Sequence, residues 1–451
     1  MTAQPPEAIA QPTEPADRSP AVEPGGPPAD VWRRNTAVLV AFTAVTNLAD
    51  GVMKIALPLV ATSLTKSPAL VSSVLLTLTL PWLLTALHVG VLVDRLDRRK
   101  LLWLAGVIQI AVLAVLFSLD LLEALSLPAI YGCGVVLGVA EVISMTSAAA
   151  IIPDAVAIAG RERVNTWVTG AETLCNEFAG PFAGGLLVGA GTAFALGATL
   201  TGYLLGAGVL LLLVGRFRVV AMVTPGMERQ PIHTQISDGL RFMWEHRLLR
   251  MLALVVAVLG SCWGAWFAVM PLYATHVMGL SAADYGVLVG MLGVGGMVGT
   301  IIVSWSNRIL GRRWTMIVDV FLTAALVTAP AVTTNMAAVA CAAFLGGMGG
   351  TLWTVNSRTV GQILVPTEMM GRFGAAFRLF ALGSTPVGAG LAGALAEWFS
   401  APVALAVFAA GSLAVFVPFV RVFTATSEAD IENRLKHPEP DIGGRLTAGQ
   451  P

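Results

Sequence analysis

Gly90-Val-Leu-Val-Asp94-Arg95-Leu-Asp97-Arg98-Arg99-Lys100 gathers six charged side chains into eleven residues, between apolar stretches near 69–93 and 101–119. Hydrocarbon would not hold such a cluster, so the segment reads as a loop in water joining two membrane crossings. A related string, Ser304-Trp-Ser-Asn307-Arg308-Ile-Leu-Gly311-Arg312-Arg313, returns in the second half of the chain, again between apolar stretches. Two copies of one loop at corresponding places imply two related halves.

Working outward, apolar stretches recur near 36–60, 69–93, 101–119, 128–152, 166–190 and 192–215, then near 249–273, 283–305, 314–333, 336–361, 373–396 and 401–423. Each is close to the ~20 residues that cross a bilayer as a helix. The expected fold is therefore an all-α membrane protein of twelve transmembrane helices in two pseudo-symmetric bundles of six. Composition agrees: 56% of the residues are hydrophobic and 12% charged, with a mean hydropathy of +0.78, outside the range of water-soluble domains. Formal net charge is zero, so nothing in the balance points to nucleic acid. Cys133, Cys175, Cys262 and Cys341 each lie in an apolar stretch without metal-site or redox spacing, and the five histidines are scattered, so no metal site is expected.

Lys and Arg divide unevenly between alternate connections. One set carries Arg95, Arg98, Arg99 and Lys100, then Arg161 and Arg163, the basic stretch 216–250, Arg308, Arg312 and Arg313, and Arg372; the other offers Lys66. Basic loops stay in the cytoplasm, which places both termini there. The chain divides into a disordered cytoplasmic tail (1–32), a first bundle (33–215), a cytoplasmic linker (216–248), a second bundle (249–423) and a cytoplasmic C-terminal tail (424–451), in which Glu428 to Lys436 suits a short surface helix. In the linker Ile232, Ile236, Leu240, Met243 and Trp244 share one helical face, predicting an amphipathic helix.

The string from Gly90 to Lys100 resembles the loop between the second and third helices of the major facilitator superfamily, Gly-x-x-x-Asp-Arg-x-Gly-Arg-Arg/Lys, and the likeness extends over about 33–424. It implies a cytoplasmic gate loop formed by Gly90, Asp94, Arg95, Asp97, Arg98 and Arg99, with Gly90 permitting close packing and Asp94 facing a helix N-terminus of the other half. Asp97 replaces the second glycine of that pattern, a substitution suited to an Asp that tolerates left-handed backbone. Gly180-Pro181-Phe-Ala-Gly184-Gly185 is similar to the helix-packing motif of antiporter-type exporters, and Thr385-Pro386-Val-Gly388-Ala-Gly390 echoes it. The stretches 239–250 and 366–378 are similar to the macrolide and siderophore efflux branch. What the resemblance implies is secondary transport by alternating access, in the form of proton-coupled efflux of an amphipathic drug, antibiotic or siderophore. Gly293-Val-Gly295-Gly296-Met-Val-Gly299 nearly spells a dinucleotide fingerprint, but it lies in a span with no preceding strand and reads as helix packing.

An ionisable side chain at membrane depth faces a cavity or a partner. Asp50 and Lys54 stand at i, i+4 on one span, an arrangement that suits either a static ion pair or a proton carrier with a modulating cation. Asp50, Glu141, Glu172 and Glu177 are the proton-coupling candidates, with Lys54 as ion-pair partner. Asp319, Arg358 and Arg378 are placed nearer the basic loops as gate or latch residues, Arg378 matching an acid of the first half. Trp263, Trp266, Phe267 and Trp353 are candidates for an apolar cavity, lipid or core contact being the plainer reading. No cofactor is expected beyond a coupling ion, and the partners are the bilayer and a small-molecule substrate, with the chain a monomer in the plasma or inner membrane. Uptake or lipid translocation within the same superfamily, and a non-transporting scaffold, are the alternatives; the scattered histidines offer no enzyme site.

Overall fold

The computed structural model describes residues 29–156, 160–215, 232–366 and 369–436. The tail expected over 1–32 falls almost wholly outside them, as do 216–231 of the linker and 437–451 of the C-terminal tail. Regular structure among the described residues is helical: α1 (Ala29–Leu64), α2 (Pro68–Arg95), α3 (Arg98–Leu121), α4 (Leu127–Ala155), α5 (Arg161–Glu172), a π-helical segment (Thr173–Ala179), α6 (Gly180–Ala190), α7 (Thr192–Leu211), α8 (Ile232–Glu245), α9 (Arg247–His276), α10 (Ala282–Leu310), α11 (Arg312–Val332), α12 (Met336–Leu364), α13 (Met370–Trp398), α14 (Ala401–Ala414), α15 (Phe416–Val422) and α16 (Ala425–Lys436). Starts are written in capping residues. Ser281 and Asp284 form a reciprocal capping box on α10, Asn335 caps α12, and Ser67 and Ser400 cap α2 and α14, each followed closely by proline.

Among the described residues eleven helical stretches, α14 and α15 counted as one, are long and apolar enough to cross a membrane. The crossing expected near 166–190 does not meet that test. Residues 161–190 are helical throughout, about 45 Å of rod at 1.5 Å per residue, but the π-helical segment divides them into short pieces and charged side chains lie along the first two.

Helices α1 to α7 and α9 to α15 form two groups, joined where α2 meets α9 and α13 and where α6 meets α10. The junction is tight at the end away from the basic loops. There Glu397 at the end of α13 accepts from Ser67 Oγ at 2.6 Å and from the backbone N–H of Ala69 at 3.2 Å, so a carboxylate sits at the N-terminus of α2. Ser72 Oγ donates to the Ala268 carbonyl at 3.1 Å, and Leu75, Ala268 and Ala389 bury one another between the halves. Gly185 and Gly286 bring α6 and α10 into backbone contact, with no room for a methyl group on either. At the basic-loop end a Cβ on Gly90 or Gly374 would meet nothing within 4 Å. Gly90 therefore does not serve close packing in this conformation, contrary to expectation, because no atom of a neighbouring helix comes near enough to touch a side chain there.

This asymmetry makes a prediction. Gly185→Leu should wedge the closed end open, at the ~1–3 kcal/mol typical of overpacking. Spin labels placed on α6 and α10 beyond this contact should show a longer distance distribution in the variant; an unchanged distribution would mean that the glycine contact does not hold the end closed.

Two amphipathic pieces brace the second half. Helix α8 packs on α13 through an Asp238–Arg372 ion pair at 3.1 Å and a Trp244–Phe380 ring contact. Met243 is buried whereas Leu240 and Trp244 stay exposed, and the side chains of Ile232 and Ile236 lie outside the described part. Helix α16 is more than a surface helix. Ile431 is 1% exposed, Glu428 accepts from the Arg313 N–H at 3.0 Å, and Glu432 reaches Arg312 at 3.5 Å.

Candidate functional site

Helix α1 presents Thr43, Asn47, Asp50 and Lys54 at helical spacing on one face. That face is turned inward, for Asn47 and Asp50 are 3% and 7% exposed. In hydrocarbon each of these groups needs a partner from another helix. Asp50 Oδ1 accepts from Tyr203 OH of α7 at 2.5 Å and from Gln109 Nε2 of α3 at 3.3 Å. Lys54 Nζ donates to Asn176 Oδ1 at 2.6 Å and lies 3.5 Å from Glu141 Oε1 of α4. Asn176 Nδ2 then donates to Asn47 Oδ1 at 2.9 Å, and Asn47 Nδ2 to the Thr43 carbonyl at 2.9 Å.

The network corrects the expected pairing. Lys54 finds its carboxylate across the bundle on Glu141 rather than along its own helix on Asp50, which is held by neutral donors. A side chain on a buried helix face is served best by the facing helix, and i, i+4 spacing alone does not decide that contest. Lys54 is also the more exposed member of the pair, with 28% of its side chain exposed against 7% for Glu141.

The π-helical segment brings Asn176 into this network. Pro181 has no N–H to give, and the Gly180 N–H reaches back five residues to the Cys175 carbonyl. The wider turn buries Asn176 and leaves the adjacent Glu177 exposed, within electrostatic reach of Lys54. Contact is close because Gly51 and Gly180 meet backbone to backbone; a Cβ on Gly180 would stand 2.7 Å from the Gly51 Cα. Gly184 likewise lies on the backbone of Val52. On the opposite side Phe178 packs over Gly293 and Gly296 of α10, in the other half.

Residues 30–449 match the profile of a family described as transmembrane secretion effector. The chain belongs to this family, within the major facilitator superfamily. It is 26% identical over 418 residues, 88% of this chain and 99% of the relative, to the multidrug efflux pump Tap of Mycolicibacterium fortuitum. Among solved structures it is similar to a bacterial homologue of the iron transporter ferroportin in an inward-facing state, with a TM-score of 0.65 and 17% identity over 87% of this chain and 98% of that one. A bacterial homologue of the lysosomal transporter Spinster, inward-facing and unoccupied, gives 0.63 and 14% over 91% and 99%. The nucleoside transporter NupG gives 0.63 and 10% over 88% and 99%. At these identities the structures show the fold.

The transmembrane secretion effector fold places the remaining candidates as follows. Asp97 adopts extended, not left-handed, backbone (φ −64°, ψ 115°) and caps α3, accepting from the N–H groups of Arg99 and Lys100 at 3.0 and 3.3 Å. Its fitness at a glycine position thus comes from capping. Arg98 Nη1 donates to the Ala150 carbonyl of α4 at 2.8 Å, Arg95 is exposed, and the Asp94 side chain lies outside the described part. Glu172 of α5 is half-buried and within electrostatic reach of Arg358 and Arg378 on the other half. Asp319 is no gate residue in this conformation, being 1% exposed. Trp266 and Trp353 belong to the core of the second half: Trp266 stacks on Tyr285 at 6.5 Å and Trp353 packs on Phe419 at 5.7 Å. Trp263 and Phe267 are half-buried and 6.0 Å apart.

Sequence reasoning passed over Asn47, Gln109, Asn176 and Tyr203. Their signal was present, since an uncharged polar side chain in mid-span needs a partner as a charged one does. No group of three or more His, Cys, Asp or Glu suited to a metal ion occurs among the described residues.

Proposed function

We propose that this protein exports an amphipathic small molecule by exchange for protons, with Asp50 as the proton carrier. The carrying observation is the network on α1: a buried carboxyl held by neutral donors, one helical turn from a lysine already paired elsewhere. Such a group can gain and lose a proton without leaving a partner stranded. The name of the Mycolicibacterium relative, a multidrug efflux pump, and the family description support export.

With the basic loops in the cytoplasm, and residues 161–190 serving as a twelfth crossing, the end where Gly90 and Gly374 have open space beside them faces the cytoplasm, and this is the loading state. Cargo enters between the halves, where Lys54, Glu177, Trp263 and Phe267 offer charge beside aromatic surface. Proton transfer reaches the packing through a short chain. A negative Asp50 pulls Lys54 toward itself, so that the lysine is shared with Glu141 and its hold on Asn176 loosens; Asn176 lies on the π-helical segment, and Phe178, two residues on, rests on α10 of the other half. Release of the proton to the cytoplasm and uptake from outside then bias opposite conformations, as exchange requires.

Everted membrane vesicles with an acidified lumen provide the test. Addition of lipophilic cations, macrolides or siderophores in turn should dissipate the pH gradient for at least one compound, and only in vesicles containing this protein. Dissipation by none of them, with the protein present and folded, would defeat proton-coupled export.

A further inference from the structure

Asp319 lies on α11, in the half opposite Asp50, and is buried to 1% exposure. Its Oδ1 accepts from Thr323 Oγ1, one turn on, at 3.2 Å. Gly349 of α12 lies directly against it, so that a Cβ there would come within 2.5 Å of Oδ1. The nearby cations are engaged with other partners or exposed. Arg312 Nη1 donates to Asn356 Oδ1 at 2.8 Å and its Nη2 reaches Glu432, Arg313 Nη2 donates to the Val420 carbonyl at 3.0 Å, and Arg308, Arg358 and Arg421 are exposed. From α9 the facing titratable group is Cys262, whose thiol donates to the Phe408 carbonyl at 3.3 Å. From α14, Ser412 Oγ donates to the Val320 carbonyl.

A carboxylate anion so enclosed, with one hydroxyl for company, lacks what a buried charge requires. A metal ion would need several oxygen ligands, and Thr323 supplies one. We propose that Asp319 is a second proton-binding carboxyl, giving the transporter one such site in each half. The inference rests on the reading of the protein as a proton-coupled carrier. The step is a simple ionisation: when the α11–α12 seam at Gly349 parts and water enters, the O–H bond breaks and the proton passes to water, and the carboxylate takes a proton back from water before the seam recloses over the neutral acid.

Infrared difference spectroscopy of the purified full chain in nanodiscs, titrated with acid and base without cargo, reads protonated carboxyls directly. Asp319→Asn should remove one protonated-carboxyl band, distinct from the band removed by Asp50→Asn. Thr323→Val, which deletes the hydrogen bond but keeps the acid, should move the Asp319 band without removing it, a shift that a purely structural aspartate in an unchanged charge state would not show on titration. If Asp319→Asn fails to fold, Thr323→Val carries the test alone, and an unmoved spectrum overturns the proposal. An Asp319→Asn spectrum identical to wild type, with the Asp50 band present, overturns it while leaving Asp50 as carrier. Loss of the Asp319 band with no change in Asp50→Asn supports the second site and removes Asp50 from its role.

Discussion

If Asp50 carries the proton, Asp50→Asn should abolish uphill, pH-gradient-driven export, bringing it to the level of vesicles without the protein, while the purified variant keeps its fold. Asparagine matches aspartate in shape and can still accept from Tyr203 and Gln109 at the present 2.5 and 3.3 Å, so the stability change should stay near the ~1 kcal/mol of one altered hydrogen bond. What is lost is the exchangeable proton. Downhill flux of cargo should survive, because the two halves can still rock with the site permanently neutral. The check is transport with and without an imposed gradient, beside a thermal melt. Normal uphill export by Asp50→Asn would remove this residue from the mechanism.

Lys54→Met carries the second large effect. It strips Glu141, 6% exposed, of its 3.5 Å cation and takes away the donor at 2.6 Å from Asn176. Breaking one side of a buried pair costs about 3–5 kcal/mol, whereas removing both sides costs far less. Lys54→Met should therefore melt well below wild type, and Lys54→Met/Glu141→Gln should recover most of that loss. Transport should not return with it, since no cation remains to answer the charge on Asp50. The double variant thus separates folding from coupling, and a single variant as stable as wild type would show that the pair is not a structural tie.

Much of the architecture could be read before any coordinates, because bilayer thickness and the cost of burying charge act on local sequence. Apolar stretch length marked eleven crossings, and the recurrence of Arg98-Arg99 as Arg312-Arg313 after a span marked the two halves. The expected crossing at 166–190 departed from the rule where Glu172 and Glu177 interrupt the apolar pattern, and the π-helical segment that turns Asn176 inward depends on Pro181 together with the Gly51–Gly180 crossing, a long-range contact. Partner choice was hidden for the same reason. Asp50 and Lys54 are neighbours in sequence, yet Glu141, Gln109 and Tyr203, far along the chain, determine what each one touches. Depth also misled for Asp319, whose place in the span suggested a gate, while the packing of Gly349 against it makes it interior. Gly90 misled for a different reason: a glycine in a span reads as a contact residue, but a Cβ there would meet nothing within 4 Å in this conformation.

Recording both fluxes at once decides whether cargo leaves in exchange for protons through the network on α1. In proteoliposomes holding a pH-sensitive dye and a fluorescent lipophilic cation, cargo and protons should move in opposite directions, a protonophore should end uphill cargo movement, and Asp50→Asn should uncouple the two. Cargo accumulation that persists through the protonophore, or that proceeds unchanged in Asp50→Asn with no proton movement, would contradict the account.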